Sequence, residues 1–395
     1  MKDLMYSPYL ADTSPHPFGI EVDHADGIFI FDKKGRKYYD LIAGIAVSNL
    51  GHQNPHVISA LKKQIDQHLH VMVYGEYSQS IQIKLAEKFT ELLPRALNCL
   101  YVMNSGTEAN EAAIKLAKRA TQKSRIVAFK GAYHGSTHGS LSVSGNEEKK
   151  YAFRPLLPDV FHLPFNDIEA LDFIDDKVAG VIIEPIQGDA GVRIPSIAFM
   201  QKLREICDRL CILLIADEIQ TGMGRTGKLF AYEHFDIVPD IVTVGKAFGG
   251  GMPIGGMVTS QKLMSLFSNN PKLGHITTFG GHPVCCAGAL AALEVLLKEN
   301  LIEIVEKKGQ LFESLLSHSL IKTVRRKGML FAIEMESAEI VQKVVEGCKE
   351  KGVLSFWFLS CPESFRIAPP LTINNQEIIE YVSYTHLTLP TMLMV

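Results

Sequence analysis

The chain has one tryptophan, and its seven cysteines are scattered without a CxxC pair. That spacing supplies neither a disulfide framework nor a zinc site, so reduced thiols in a cytoplasmic protein are expected. Cys207 and Cys211 lie about one helical turn apart, but no matching Cys/His pair follows at zinc spacing. The 14 histidines include no HExxH, and no metal is expected. No apolar run reaches the roughly 18 residues of a membrane-spanning helix. Charge of one sign is also lacking: 40 Lys plus Arg face 43 Asp plus Glu, a formal net charge of −3. Nucleic acid and anionic membrane surfaces want a basic field, so neither is an expected partner. The opening "MKDLMYSPYLADTSPHPFG" has no apolar signal-peptide core. Repeats and low-complexity linkers are absent too.

What is there is ordinary globular material: 395 residues, 47% hydrophobic and 21% charged, long enough for a large core and more than one domain. "GIEVDHADGIFIFDKKGRKYYDLIAG" alternates apolar and polar residues around Lys34-Gly35, which predicts antiparallel strands with a turn. Helical patterns follow at about 56–70, 80–93, 106–120 and 196–209. Between them lie the apolar runs "CLYVMN", "RIVAFK", "VAGVIIE", "CILLIAD" and "DIVTVG". Continuous apolar strands alternating with helices predict an α/β fold, with a mainly parallel sheet covered on both faces. From about residue 283 long helices precede short strands, as in a smaller α+β domain. The expected division is 1–55 (part of the small domain), 56–282 (the large domain) and 283–395 (the small domain).

Open α/β sheets place ligands at the carboxyl ends of their strands, and three such ends stand out. Lys246 follows "DIVTVG" and precedes a glycine cluster. A partly buried amine there is nucleophilic, suited to a Schiff base, and the glycines would let backbone pass close to something bulky. Alone, Lys246 is better read as a side chain snorkelling to solvent beside a flexible loop. Asp217 and Glu218 end "CILLIAD". A buried carboxylate wants a partner, and a protonated ring nitrogen or a helix cap would each serve. Ser105-Gly106-Thr107-Glu108 has capping-box spacing before a helix, whose free N–H groups suit a phosphate or simply make a well-capped start. Pyridoxal 5′-phosphate has the ring nitrogen, the phosphate and the aldehyde that together would use all three ends.

With these pieces the sequence resembles the class III pyridoxal-phosphate aminotransferases, the acetylornithine, ornithine and 4-aminobutyrate group of fold-type I. The matching motifs are "LAGIAVSNLGHQNPHV", "NSGTEANEAAIKLAKR", "AYHGST", "IIEPIQGDAGV", "LLIADEIQTGMGRTGKLF", "DIVTVGKAFGGGMPIGG", "TTFGGHPVCCAGALAALEVL" and "FRIAPPLT", in family order from about Pro17 to Ile373. The resemblance implies a large domain with a seven-stranded-type, mainly parallel sheet between helices, and a smaller α+β domain. It implies that Lys246 holds the cofactor as a Schiff base and shuttles the proton, while Asp217 keeps the ring nitrogen protonated. Gln220 would bond the ring hydroxyl, with Tyr133 on one ring face and Ile219 on the other. Ser105, Gly106 and Thr107 would hold the phosphate, with His134 and Glu184 in the same cofactor set. Thr278 would reach the phosphate of the partner subunit, making a homodimer part of the site. Arg366 would clamp a substrate carboxylate, with Asp189 as its gate. The implied reaction moves an amino group from an amino acid or ω-amine donor, acetylornithine-like, to a 2-oxo acid by a ping-pong mechanism. 2-Oxoglutarate is the expected acceptor and pyruvate the alternative. An aminomutase or racemase of the same family is the rival reading.

Three positions depart from the acetylornithine/ornithine pattern. Ser136 stands where those enzymes carry an arginine after "HG", Asp189 where they carry glutamate, and Pro15 where some carry tyrosine. Arg325 or Arg326 is a candidate replacement charge. The end "YVSYTHLTLPTMLMV" departs more strongly. Val382 to Thr391 matches one reading frame of a transposase-inserted sequencing adapter, so 382–395 is expected to be a non-native tail replacing the rest of a helix.

Overall fold

The structure, a computed structural model, describes residues 9–11, 13, 14 and 17–388, with side chains as far as Val382 at the C-terminal end. Its strands are β1 (Val22–Asp26), β2 (Phe29–Asp32), β3 (Lys37–Asp40), β4 (Cys99–Met103), β5 (Arg125–Phe129), β6 (Val160–Leu163), β7 (Val178–Ile183), β8 (Leu213–Asp217), β9 (Ile241–Val244), β10 (Gly255–Thr259), β11 (Thr323–Lys327), β12 (Leu330–Glu334), β13 (Val353–Leu354), β14 (Phe356–Trp357) and β15 (Ser364–Ile367). Seven of them form one sheet in the order β4-β10-β9-β8-β7-β5-β6. Neighbours from β9 to β6 run parallel, and β10 is antiparallel to both β9 and β4.

Four of the apolar runs, β5, β7, β8 and β9, lie in the interior of this sheet, while "CLYVMN" becomes its edge strand β4. Every residue of β7 and β9 is buried, as continuous rather than alternating hydrophobicity requires. β6 and β10 were not anticipated. β10 begins with two glycines, which weaken a strand signal. They are needed here, since a Cβ on Gly255 would lie 2.1 Å from the Ser105 carbonyl oxygen. Two of the expected helices start on capping residues: Asn54 caps Pro55–Gln67 and Ser196 caps Ile197–Leu210.

The N-terminal hairpin turns at Lys33–Gly35 and pairs with the C-terminal part of the chain, with β13 running parallel to β3. The other small sheet has the order β11-β12-β15-β14. The helix Pro283–Lys298 packs on Pro55–Gln67 and Ser80–Thr90. The final helix, Asn375–Thr388, continues through the start of the stretch expected to be a non-native tail, and Val382 is buried. Residues 389–395 lie outside the described residues, as does Pro15. No helix among the described residues is long and apolar enough to cross a membrane.

Arg225 joins these parts. It is fully buried and donates from Nη1 to the carbonyls of Met329 (3.0 Å) and Pro369 (2.6 Å), and from Nη2 to Asn49 Oδ1. Asn49 in turn donates to the Met223 carbonyl at 2.9 Å. No carboxylate pairs with Arg225 among the described residues, and burial lowers its pKa to about 9. Substituting Arg225→Leu strands three buried acceptors. It should destabilise the protein by about 3 kcal/mol, read as a lower urea midpoint with the secondary structure retained at zero denaturant.

Candidate active site

The carboxyl ends of β5, β7, β8 and β9 and the start of helix Gly106–Thr121 open on one cavity of about 850 Å³. Asp217, at the end of β8, is 4% exposed and borders it. Three donors pin its carboxylate: Asn110 Nδ2 at 2.8 Å and His134 Nδ1 at 2.7 Å on Oδ2, and the Ile219 N–H at 3.1 Å on Oδ1. Asn110 also donates to the His134 carbonyl at 2.7 Å and accepts from Thr243 Oγ1 at 2.8 Å. These bonds fix the acid from behind and leave it beside the cavity.

Lys246 enters the same cavity from the exit of β9. Its φ of 47° is left-handed, an uncommon conformation for a side chain with a Cβ and a cost the surroundings must sustain. Burial, reinforced by the charge of Arg366, lowers its pKa to about 8. A neutral, nucleophilic amine is therefore accessible close to neutral pH.

The glycines after Lys246 do something other than expected. Gly250 has φ of 60°, and a Cβ there would lie 2.9 Å from both Ala292 Cβ and the Gly288 carbonyl. That loop turns tightly against helix Pro283–Lys298 and does not line the cavity. The glycine that meets the site is Gly106, where a Cβ would lie 2.7 Å from Ile219 Cδ1. Its bare backbone lets Ile219 pack onto the helix start and line the cavity with it. Gln220 also lines the cavity, pressed so closely on Gly188 that a Cβ there would overlap its amide oxygen.

The helix start is capped, though not as the spacing suggested. Ser105 Oγ accepts from the Glu108 N–H at 3.3 Å, but Glu108 Oε2 reaches back to the Asn104 N–H at 2.8 Å rather than to Ser105. Ser105 does not line the cavity; Gly106 and Thr107 do. Thr107 Oγ1 meets Thr137 Oγ1 at 2.9 Å and Ser140 Oγ at 2.5 Å, and Glu111 Oε1 accepts from the Thr137 hydroxyl and from the Gly139 and Ser140 N–H groups; what suits an anion here is the helix start itself. Glu184 borders the cavity, but its oxygens accept from the Tyr133 and Gly188 N–H groups at 2.8 and 3.0 Å, and burial pushes its pKa up to about 7. Glu218 points elsewhere, accepting from Thr221 Oγ1 at 2.5 Å and the Tyr232 N–H at 2.8 Å.

At the far wall Arg366, carried by β15 and 3% exposed, donates from Nη2 to Asp189 Oδ1 at 3.2 Å and lies 4.4 Å over the Phe358 ring. Tyr133 and Ser136 line the cavity too, with their oxygens 3.3 Å apart. Arg325 and Arg326 do not: Arg325 holds the Gly191 carbonyl and Glu334, and Arg326 pairs with Glu306 and Glu313. Thr278 is exposed and lies outside this chain's cavity. Among the described residues no group of His, Cys, Asp or Glu is arranged to hold a metal.

The class-III aminotransferase family model matches residues 9–389. The chain belongs to the class-III aminotransferases. It is 43% identical over 295 residues to an acetylornithine aminotransferase of Methanopyrus kandleri, covering 74% of this chain and 75% of the relative. A second acetylornithine aminotransferase, from Bacillus cereus, is 38% identical over 369 residues, 92% of this chain and 93% of the relative. Ornithine aminotransferase of Toxoplasma gondii, whose solved structure reports partial occupancy of pyridoxal phosphate, superimposes with a TM-score of 0.90 at 29% identity over 98% of this chain and 92% of that one. The enzyme therefore moves amino groups, and the transaminase relatives favour transfer to an external acceptor over an isomerase. Membership also implies pyridoxal phosphate, and the residues fit it: the pinned Asp217 suits a cationic ring nitrogen, and the helix start suits a phosphate.

In this aminotransferase the sequence reading missed Asn110 and Ile45. Asn110 was findable, being the polar residue among the buried positions Ala109, Ala112, Ala113, Ile114, Leu116 and Ala117 of its helix. Ile45 lines the cavity from a turn in which residues 43–46 all have positive φ, anchored by Asp40 Oδ1 accepting from Ile42 and Ala43 N–H. No local motif announces that turn. Because only the neutral amine of Lys246 attacks an aldehyde, incorporation of pyridoxal phosphate into cofactor-free enzyme should accelerate as pH rises through about 8 and level off above it. Stopped-flow absorbance measures this. A profile rising only near the ordinary lysine value would contradict the lowered pKa.

Proposed function

We propose that this enzyme is a homodimeric, cytosolic transaminase that takes the amino group of an acetylornithine-like donor and passes it to 2-oxoglutarate. The cysteines are free thiols, in keeping with a reducing compartment. The observation that carries the chemistry is the pairing of a pinned carboxylate, Asp217, with a buried amine, Lys246, across one cavity. The donor class rests on the acetylornithine aminotransferases of M. kandleri and B. cereus.

When bound, pyridoxal phosphate supplies the electron sink that lets a proton leave the substrate's α or terminal amino-bearing carbon. Lys246 Nζ would hold the cofactor's aldehyde carbon and, once released by the substrate amine, take that proton and return it. Asp217 would keep the ring nitrogen protonated, with Asn110 and His134 preventing the carboxylate from turning away. Gly106, Thr107 and the helix N–H groups would hold the phosphate, and Gln220 the ring hydroxyl. Ile219 and Tyr133 would enclose the ring and exclude water. Arg366 would bind a substrate carboxylate whenever Asp189 yields it.

Thr278 would complete the phosphate site of the partner subunit. An apolar face supports a second copy there: Phe279, Ile65 and Leu69 are 54%, 48% and 59% exposed around a depression of about 520 Å³. Sedimentation should give twice the 43.7 kDa chain mass. Thr278→Val should weaken retention of pyridoxal phosphate about tenfold without dissociating the dimer, since one phosphate hydrogen bond is lost. A sedimenting monomer would refute the shared site.

The main test titrates the yellow loaded enzyme, without acceptor, with acetylornithine, ornithine, 4-aminobutyrate, β-alanine, glutamate and alanine. Acetylornithine should convert the absorbance to that of the pyridoxamine form, and 2-oxoglutarate should restore it. Conversion by 4-aminobutyrate or β-alanine but not by acetylornithine would overturn the donor assignment.

A further inference from the structure

Asp189 is shared by two cations, each on its own oxygen. Oδ1 accepts from Arg366 Nη2 at 3.2 Å and from the Leu359 N–H at 3.3 Å. Oδ2 accepts from Ser360 Oγ at 2.9 Å and lies 3.6 Å from Lys149 Nζ. Lys149 belongs to none of the motifs that marked the site. It ends the short turn Glu147–Lys149, and Asn146, just before it, donates to the same Ser360 hydroxyl at 3.0 Å. The Lys149 ammonium is out of contact with solvent, makes no hydrogen bond among the described residues, and lies 5.6 Å from the centre of the Tyr133 ring. Arg366 Nε is likewise buried without a hydrogen-bond partner.

Two cations facing this one carboxylate leave one positive charge in excess around it, with donors unused on Lys149 and on Arg366, which lines the cavity. A buried charge in that state is costly until an anion arrives. With Arg366 alone, an incoming carboxylate and Asp189 would compete for one guanidinium and repel each other. With Lys149 present, two cations and two anions balance. Ser136 adds a hydroxyl to this wall and no charge.

We propose that Lys149 is a positioning residue that retains Asp189 when a substrate carboxylate takes Arg366, and so sets the enzyme's affinity for carboxylate substrates. This rests on the reading of Arg366 given above. Asp189 then need only shift its weight from one oxygen's partner to the other's.

The experiment reconstitutes the enzyme with pyridoxamine 5′-phosphate and mixes it with 2-oxoglutarate. The dependence of the absorbance change on concentration yields an apparent Kd and a limiting rate. Lys149→Met should raise the apparent Kd about tenfold while the limiting rate falls less than about threefold, and Lys149→Arg should restore affinity. In an Asp189→Asn background the same Lys149→Met change should cost less than about twofold, because the charge it retains is gone. Glutarate, an unreactive dicarboxylate, should show the same pattern by calorimetry. If Arg366→Met weakens binding and Lys149→Met does not, or if the Lys149 effect persists unchanged in Asp189→Asn, the proposal is overturned. If Arg366→Met leaves binding unchanged, the Arg366 reading falls and takes this one with it.

Discussion

A carboxylate buried beside a cavity must be held still and must be answered by a positive charge. Asp217 sets that requirement, and much of the surrounding structure meets it. Its three donors come from separate places: Asn110 from a helix face, His134 from the exit of β5, and the Ile219 N–H from the turn after β8. Thr243, on the neighbouring strand β9, orients Asn110. Lys246 leaves that same strand. The pairing of β8 with β9 thus brings acid and amine to one cavity, and sheet geometry rather than loop conformation sets their relation.

The cavity wall that carries Arg366 and Asp189 is assembled differently. Arg366 arrives on β15, in the small sheet, while Asp189 sits in the loop after β7, in the large one. Their bond exists only where the two sheets' surroundings pack together. Arg225 supports that packing by bonding the carbonyls of Met329 and Pro369 and the amide of Asn49. A fully buried arginine matched only by neutral acceptors is a poor source of net stability, but it is specific about geometry. The positive φ values at Lys246, Gly44 and Ile45 fall at the cavity itself, where strain is tolerated because neighbouring bonds over-determine the backbone.

Much of this was readable before any coordinates. The five apolar runs became β4, β5, β7, β8 and β9; all but the edge strand β4 are covered on both faces, which is why they are continuously apolar. Lys246, Asp217 and Gly106 stood out because each is an odd residue at a strand end. The glycines after Lys246 were read as room for a ligand and prove to be room for a helix. Ser105 was assigned to the ligand and caps its helix outside the cavity. In both cases a short motif states that backbone freedom or a hydroxyl is needed, and not what it will face.

The sequence by itself determined the fold class, through hydrophobic period, and the family, through the resemblance of its motifs, and with them the residue types at the strand ends. Only the tertiary structure decided which polar residues stand behind them. Asn110 is 107 positions from Asp217, and Arg366 is 177 from Asp189. No local pattern encodes such pairs, because burial and charge balance are set by what the folded chain brings alongside. Lys149 shows this most plainly: an unremarkable lysine in a charged turn becomes, once folded, the second cation on the carboxylate that bonds Arg366.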